Sequence, residues 1–317
     1  MKAVLLAAGF GNRLEPLTNS VPKPMITLCG KPIIKYLVDD LVKLGFTEIC
    51  IVVGYLSEQI INYFNSQPHN ATLTFVIQKQ IQGTADALSQ AKIFVGNDSF
   101  LLYLSDTFIP ENFEKTMSKM ISDDSDICIL SSPVPDSKIS STGTIFLDND
   151  TVLKILEKQE HSSSNIAWAG IAFFHDNTIF KKIQEQNILK NLEITEMFNH
   201  IIQNGKKIKN YLCSEFIDAG TPEGLFKVSK FILMKNFSSI SNSSHSKLHG
   251  PIFISDSCHV GNNCEIGPFV TIEENCTLGD NLQISNCIIF PESQISSNGV
   301  IRNHIISKEG KLSIANS

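Results

Sequence analysis

From Ile254 onward an aliphatic residue returns every six positions, at Val260, Ile266, Ile272, Leu278 and Ile284. Four residues after each of these stands Cys258, Cys264, Val270, Cys276, Leu282 or Ile288, and glycine follows directly at Gly261, Gly267 and Gly279. Neither a helix of 3.6 residues per turn nor a flat strand with its period of two repeats at six. Recurrence at this fixed period marks an internal repeat. Ile295, Ile301 and Ile306 continue the pattern less regularly, which allows about three coils.

This pattern resembles the hexapeptide repeat of left-handed parallel β-helices, in which three hexads make one triangular coil and aliphatic residues stack inside. The stacking also accounts for cysteines. Cys258, Cys264 and Cys276 are spaced like possible metal ligands, but a thiol of suitable volume inside a solenoid explains them without a metal. The eight cysteines of the chain include no Cys-x-x-Cys pair, and reduced, structural thiols are expected. Phe237 to Lys247, rich in Ser and Asn, reads as a linker, so a short left-handed β-helix is expected over 248–317.

Upstream, over 1–236, the pattern changes to β-rich runs alternating with helical periods. Ala3 to Ala7, Ile49 to Val53, Leu73 to Ile77, Phe100 to Leu104 and Ile127 to Leu130 are the strand candidates. Ile33, Ile34, Leu37, Leu41 and Leu44 recur at helical spacing, with Pro32 suited to the first helical position and Gly45 to the residue past the end. Residues 222–236 again read as a helix opened by a proline. Alternation of this kind predicts an α/β domain with a Rossmann-like, mostly parallel sheet, whose ligands gather beyond the carboxyl ends of the strands.

The loop after the first strand carries the densest chemistry. Residues 6–25 run Leu-Ala-Ala-Gly-Phe-Gly-Asn-Arg-Leu-Glu-Pro-Leu-Thr-Asn-Ser-Val-Pro-Lys-Pro-Met. Gly9 and Gly11 let backbone N–H groups approach phosphate oxygens, Arg13 can grip phosphate with a bidentate fork, and Lys23 stands between two prolines as a second cation. The run lacks the Gly-Lys-Ser/Thr of a Walker A loop. Two carboxylates lie far apart in sequence, Asp106 at the end of the fourth strand and Asp218 in Phe-Ile-Asp-Ala-Gly-Thr-Pro-Glu. If they converge, they form the sort of site in which Mg²⁺ bridges phosphates.

Gly-x-Gly-x-Arg-Leu-x-Pro-Leu-Thr followed by Lys-Pro resembles the signature of the sugar-1-phosphate nucleotidylyltransferases, or sugar-nucleotide pyrophosphorylases, and the likeness extends over nearly the whole chain. The resemblance implies nucleotide binding by Ala8, Gly9 and Gly11, and base recognition by the Gln78 amide and the backbone at Gly83. It implies Asp106 and Asp218 as Mg²⁺ ligands and Arg13, Lys23 and Lys158 as the catalytic cations. It also implies a sugar pocket lined by Gly143, Glu157, Gly170, Glu193 and Thr195. The sequence departs from the family where Ser105 and Thr107 flank the aspartate in place of the commoner Gly and Asn. It departs again at Ser141 and Thr142, where members often carry an aromatic residue.

The N-terminal segment looks most like glucose-1-phosphate uridylyl- and thymidylyltransferases, so UTP or dTTP with glucose 1-phosphate is expected. Gln-Gly-Thr-Ala-Asp-Ala also resembles ADP-glucose enzymes, and a hexad tail follows the same catalytic domain in mannose-1-phosphate guanylyltransferases. Some relatives with longer β-helices are bifunctional acetyltransferases; about three coils is short for that role, and the tail is expected to serve oligomerisation. A non-catalytic scaffold with the same fold would tend to lose its cations or carboxylates, yet Arg13, Lys23, Asp106 and Asp218 are all present.

The bulk properties agree with a nucleotide and a sugar phosphate as partners. A net charge of −6 gives no general attraction for nucleic acid or an anionic membrane, so anions must be held by a few placed cations. The apolar run at the N-terminus is short and is followed at once by Arg13 and Glu15, which reads as a buried strand and not a signal peptide. A cytoplasmic homo-oligomer is the expectation.

Overall fold

The computed structural model describes residues 1–185, 192–237 and 246–314. The chain forms two compact units, one of Met1–Gly9 and Leu37–Phe216, the other of Phe10–Tyr36 and Ile217–Ser317. Most of the linker expected over 237–247 lies outside the described residues. No helix among those residues is long and apolar enough to cross a membrane.

The first unit is built on a nine-stranded sheet. Strands β1 (Lys2–Ala7), β2 (Glu48–Val53), β3 (Thr72–Ile77) and β4 (Phe100–Leu104) pair in parallel in the order β3-β2-β1-β4. The sequences of β1, β2 and β4, such as Ile-Cys-Ile-Val-Val, are near-continuous apolar runs, as strands covered on both faces require, whereas β3 at the sheet's edge is only partly buried. Between β1 and β2, helix α1 (Ile33–Lys43) buries Ile33, Ile34, Leu37, Val38 and Leu41, and Gly45 ends it at a φ of +88°. Pro32 lies just before the helix, paired with Thr27 in a short antiparallel hairpin.

Beyond β4 the sheet is mixed, where the sequence pattern predicts mostly parallel pairing. Strand β5 (Ile127–Pro133) is not next to β4. The later strand β6 (Ile166–Phe174) lies between them, antiparallel to both. That insertion places Phe174 opposite Phe100, with ring centroids 4.7 Å apart. Strand β7 (Ile208–Leu212) continues parallel to β5, and the antiparallel pair Gly143–Asp148 and Thr151–Glu157 closes the edge. A register shift between Trp168 and Ile171 bulges β6 at Gly170.

In the second unit, strands between Lys247 and Ser307 stack in parallel on those one coil further along. Ile252 pairs with Val270, His259 with Thr277 and Glu265 with Gln283, each 18 residues on. This is the stacking of a parallel β-helix with three hexads to a coil. Ile266, Ile272, Leu278, Ile284, Cys264, Cys276 and Cys287 form its core. The corners fall at Asn263, Phe269, Asn275, Asn281, Asn286, Glu292, Asn298 and Asn303, all at left-handed φ, a conformation asparagine tolerates better than most residues.

Two hexads are a residue short, the first between the corners at Asn281 and Asn286 and the second between those at Asn298 and Asn303. After Ile284 the register drops to 17, so that Val270 pairs with Cys287 and Ile272 with Ile289. Cys287 therefore takes the inward place expected for Ile288. A slip of one residue turns a side chain to the opposite face, and Ile288 is buried on the outer one, beside Thr271 and Ile305 in the neighbouring coils. Ile295 and Ile301 fall into register once the first short hexad is counted, and Ile306 once the second is. Helix α2 (Pro222–Asn236) packs on this sheet. Thr221 caps it by accepting the Gly224 N–H at 3.1 Å, and Pro222 fills its first position.

All eight cysteines are free thiols. Burial pushes Cys50, Cys128, Cys213 and Cys276 up to about 12 and Cys287 to about 11, so they behave as small apolar side chains. Ile272 is fully buried in the coil, and Ile272→Ala is expected to cost about 2–5 kcal/mol in guanidinium unfolding. Val300→Ala, at an exposed position of the same solenoid, should stay within about 0.5 kcal/mol.

Candidate functional site

In the first unit, the loops leaving the four parallel strands meet at one edge of the sheet. Gln78 N–H donates to Val53 O at 2.8 Å, Ser105 N–H to Leu6 O at 3.0 Å and Tyr55 N–H to Ala8 O at 3.3 Å. Ala8, Gly54, Gln78 and Asp106 thus fall at the carboxyl ends of neighbouring strands, where a doubly wound sheet places its ligand. A Cβ on Gly54 would lie 2.7 Å from Ala8 O, so this close approach of two loops requires glycine.

Gln78 is buried, and its amide nitrogen donates to Asp86 Oδ2 at 2.6 Å and to Gly83 O at 3.3 Å. A carboxylate only accepts, so Asp86 fixes which way the amide points and turns Oε1 to face other partners. Gly83, at φ +90°, opens the helix Thr84–Gln90. Asp86 is a functional neighbour that sequence reasoning missed; its place one turn into that helix was the available signal.

The residues expected to hold the sugar gather around two short hydrogen bonds. Thr195 Oγ1 donates to Glu157 Oε1 at 2.6 Å, and Thr84 Oγ1 donates to Glu193 Oε2 at 2.6 Å. A Cβ on Gly143 would lie 2.9 Å from Glu157 Oε1. Gly143, Glu157 and Thr195 therefore form one cluster, and Glu193 with Thr84 a second. Thr195 is itself buried and holds Glu157, so its hydroxyl orients the carboxylate. Gly170 sits in the bulge of β6 at φ +74°, where a Cβ would come 2.5 Å from Thr107 Oγ1. Lys158 follows Glu157 at φ +45°, with its N–H donating to Thr142 O at 3.1 Å.

In the second unit, apolar residues shape the long loop. Leu14, Leu17, Pro24, Ile26 and Leu28 are buried, while Arg13 projects from a single 3-10 turn with half its side chain exposed. Gly11, at φ +79°, packs against Lys23 and Thr18, and its carbonyl accepts the Thr18 hydroxyl at 3.1 Å. The loop is thereby folded back so that its two cations share a neighbourhood.

Asp218 meets them there. Arg13 Nη1 donates to Asp218 Oδ2 at 2.9 Å, and the Gly220 N–H donates to Asp218 Oδ1 at 2.8 Å. A Cβ placed on Gly220 would lie 2.8 Å from Arg13 Nη2, 2.8 Å from Asp218 Oδ1 and 3.3 Å from Lys23 Nζ. Arg13, Lys23 and Asp218 thus surround one small space that glycine leaves open. Gly224 sets the helix close behind, since a Cβ there would run into Asp218 O.

A carboxylate such as that of Asp218, with water and phosphate oxygens completing the shell, suits Mg²⁺. The described residues contain no group of three or more His, Cys, Asp or Glu side chains able to hold a metal without such help. Gly220→Ala fills the shared space without straining the backbone. It should change stability by no more than about 1 kcal/mol, while lowering affinity for inorganic pyrophosphate at least tenfold in calorimetric titration.

Comparison with known proteins agrees with this arrangement. Residues 2–235 match the nucleotidyl transferase family and residues 248–315 match the GMPPB C-terminal domain. The low-salt glycan biosynthesis nucleotidyltransferase Agl11 of Haloferax volcanii is 26% identical, over 99% of this chain and 94% of its own. The UTP–glucose-1-phosphate uridylyltransferase AglF of the same organism is 31% identical, over 70% of this chain and 93% of its own. A crystal structure of UDP-glucose pyrophosphorylase with UDP-glucose, 22% identical, has the same fold at a TM-score of 0.66, covering 74% of this chain and 99% of that one. Matched by the family over residues 2–235, the chain belongs to the nucleotidyl transferase family.

Proposed function

We propose that the protein transfers a nucleotidyl group from UTP or dTTP to glucose 1-phosphate, releasing pyrophosphate and forming a nucleotide sugar. The observation that carries this reading is the convergence of Arg13, Lys23 and Asp218 on the space at Gly220. Two cations beside one carboxylate suit a polyphosphate that arrives with a dication. Residues 1–236 act as the catalytic domain and 248–317 as the tail, a division supported by the two family matches.

In this reading a phosphate oxygen of the sugar phosphate attacks the α-phosphorus, and the bond from that phosphorus to the bridging oxygen of the β-phosphate breaks. The second pKa of a phosphate monoester is about 6, so the attacking oxygen needs no general base near neutral pH. Catalysis reduces to in-line positioning and charge stabilisation. Arg13 and Lys23 hold the β- and γ-phosphates that depart, while Lys158 steadies the attacking group. Glu157, held by Thr195, accepts hydrogen bonds from sugar hydroxyls, and Glu193, Gly143 and Gly170 complete the pocket. Mg²⁺, held by Asp106 and Asp218, would supply positive charge against the phosphates.

Gln78 supports a uracil or thymine base. With its nitrogen held by Asp86, its oxygen can accept the N3–H while a backbone N–H at Gly83 meets the adjacent carbonyl. Guanine offers the same neighbouring pair at N1–H and O6. Together with the match of the tail to the GMPPB C-terminal domain, this favours GTP with mannose 1-phosphate as the second reading. The tail is proposed as an oligomerisation element.

Pyrophosphate release should be measured with Mg²⁺ and each of UTP, dTTP, GTP, ATP and CTP, against the 1-phosphates of glucose, mannose, galactose and N-acetylglucosamine. UTP or dTTP with glucose 1-phosphate should lead, and Lys23→Ala should lower that rate at least a hundredfold. Turnover of mannose 1-phosphate with GTP alone would establish the second reading. No pair above the Lys23→Ala background would refute the transfer itself.

A further inference from the structure

One carboxylate of the β-helix has no part in the site described above, yet it is fully buried. Glu273 follows the core residue Ile272 and has no exposed surface. Its Oε1 accepts the Cys29 N–H at 2.7 Å, and its Oε2 accepts the Gly30 N–H at 2.9 Å. These two amides belong to the tip of the hairpin in which Thr27 pairs with Pro32 and Leu28 with Lys31. Cys29 at φ +52° and Gly30 at φ +79° give the left-handed pair that a two-residue hairpin turn needs. Consecutive N–H groups in such a turn point the same way and form a concave anion site. The Phe253 ring covers it, 3.1 Å from where a Gly30 Cβ would be.

The hairpin is the direct continuation of the phosphate loop. Ile26 N–H donates to Lys23 O at 3.1 Å, and Ile33 N–H donates to Ile26 O at 3.0 Å, so the turn held by Glu273 and the turn that carries Lys23 are joined by hydrogen bonds. We propose that Glu273 is a positioning residue for nucleotidyl transfer: the β-helix holds the hairpin through this carboxylate, and the hairpin sets Lys23 for the departing phosphates. The role rests on the reaction proposed above. It also gives the tail a purpose within its own chain, apart from any assembly.

A buried carboxylate is retained at a cost unless its oxygens are satisfied, and here the two amides satisfy them. Burial pushes Glu273 up to about 7, opposed by the hydrogen bonds from Gly30 and Cys29 and reinforced by the charge of Glu274. The thiols of Cys29, Cys258 and Cys276 also lie around it; Cys29 is pushed up by burial and by Glu273, and Cys276 by burial, by Cys258 and by Glu273, so these two stay neutral. The two amides favour the ionised carboxylate, but because burial outweighs them Glu273 takes up a proton more readily with the hairpin in place than in water, so a fall in pH does not by itself release the hairpin.

The test compares wild type, Glu273→Gln and, as a control, Glu274→Gln at its exposed neighbour. Hydrogen exchange is followed in the peptide 26–33, with 264–290 as internal reference, and affinity is measured for inorganic pyrophosphate, which needs no knowledge of the base. The Gln variant should exchange at least tenfold faster at Cys29 and Gly30 and bind pyrophosphate about tenfold more weakly, with the reference peptide and the Glu274→Gln chain unchanged. If the Gln variant does not fold, Glu273→Asp, which keeps the charge but draws the carboxylate back by one methylene from the two amides, takes its place with the same expected outcomes. Unchanged exchange in Glu273→Gln overturns the contact, and faster exchange with unchanged affinity overturns the positioning role alone. A wild type that binds no pyrophosphate removes the reaction and the positioning role with it, even though exchange would still report the hairpin's attachment.

Discussion

Opposite charges held around an open space are the constraint on which the rest of this structure depends. An exposed ion pair such as Arg13 with Asp218 contributes only about 0.2–1 kcal/mol to folding. Stability alone does not explain why residues 205 positions apart are brought together, with a glycine between them and a lysine alongside. The pair is better understood as a site between occupants. In the function proposed above, the guanidinium would neutralise Asp218 until a polyphosphate arrives and would hold phosphate once a dication takes over that carboxylate. Gly220 keeps the space, Gly224 lets the helix start close behind Asp218, and Thr221 caps that helix.

The second unit shows how a repeated sequence can support a unique loop. Inside the coil the hexads are interchangeable, each stacking an aliphatic residue or thiol on the next. Glu273 breaks that equivalence, since Ser255, one coil before it, carries no carboxylate, and Phe290, in the corresponding place one coil after it, is apolar. A charge buried at one corner of a solenoid makes sense only through what it holds. Here that is the tip of the hairpin behind the phosphate loop.

Much of this was legible in the residues. The β-rich runs at Ala3 to Ala7, Ile49 to Val53, Leu73 to Ile77 and Phe100 to Leu104, alternating with helical periods, read as parallel strands, and Pro222 marked the start of its helix. Arg13 and Lys23 were readable because a long polar loop with two cations between apolar anchors has little structural purpose. The mixed half of the sheet was not readable, since the antiparallel insertion of Ile166–Phe174 is a non-local pairing that leaves no local period. The short hexad after Ile284 was hidden because its neighbours Cys287 and Ile288 are both apolar. The asparagines at the corners, six apart and then five, were the available signal. Thr195 could be placed near a ligand by resemblance and Asp86 could not, but only coordinates showed that each orients another side chain.

The most direct test of the central claim is a nucleotide-binding titration, with and without Mg²⁺, comparing wild type with Arg13→Ala and Asp218→Ala, using the triphosphate that turns over best. If the two side chains share a site as described, Arg13→Ala weakens binding under both conditions, whereas Asp218→Ala removes only the part that depends on Mg²⁺. Affinity unchanged by either substitution would contradict the account, because the charges around Gly220 would then hold neither phosphate nor metal.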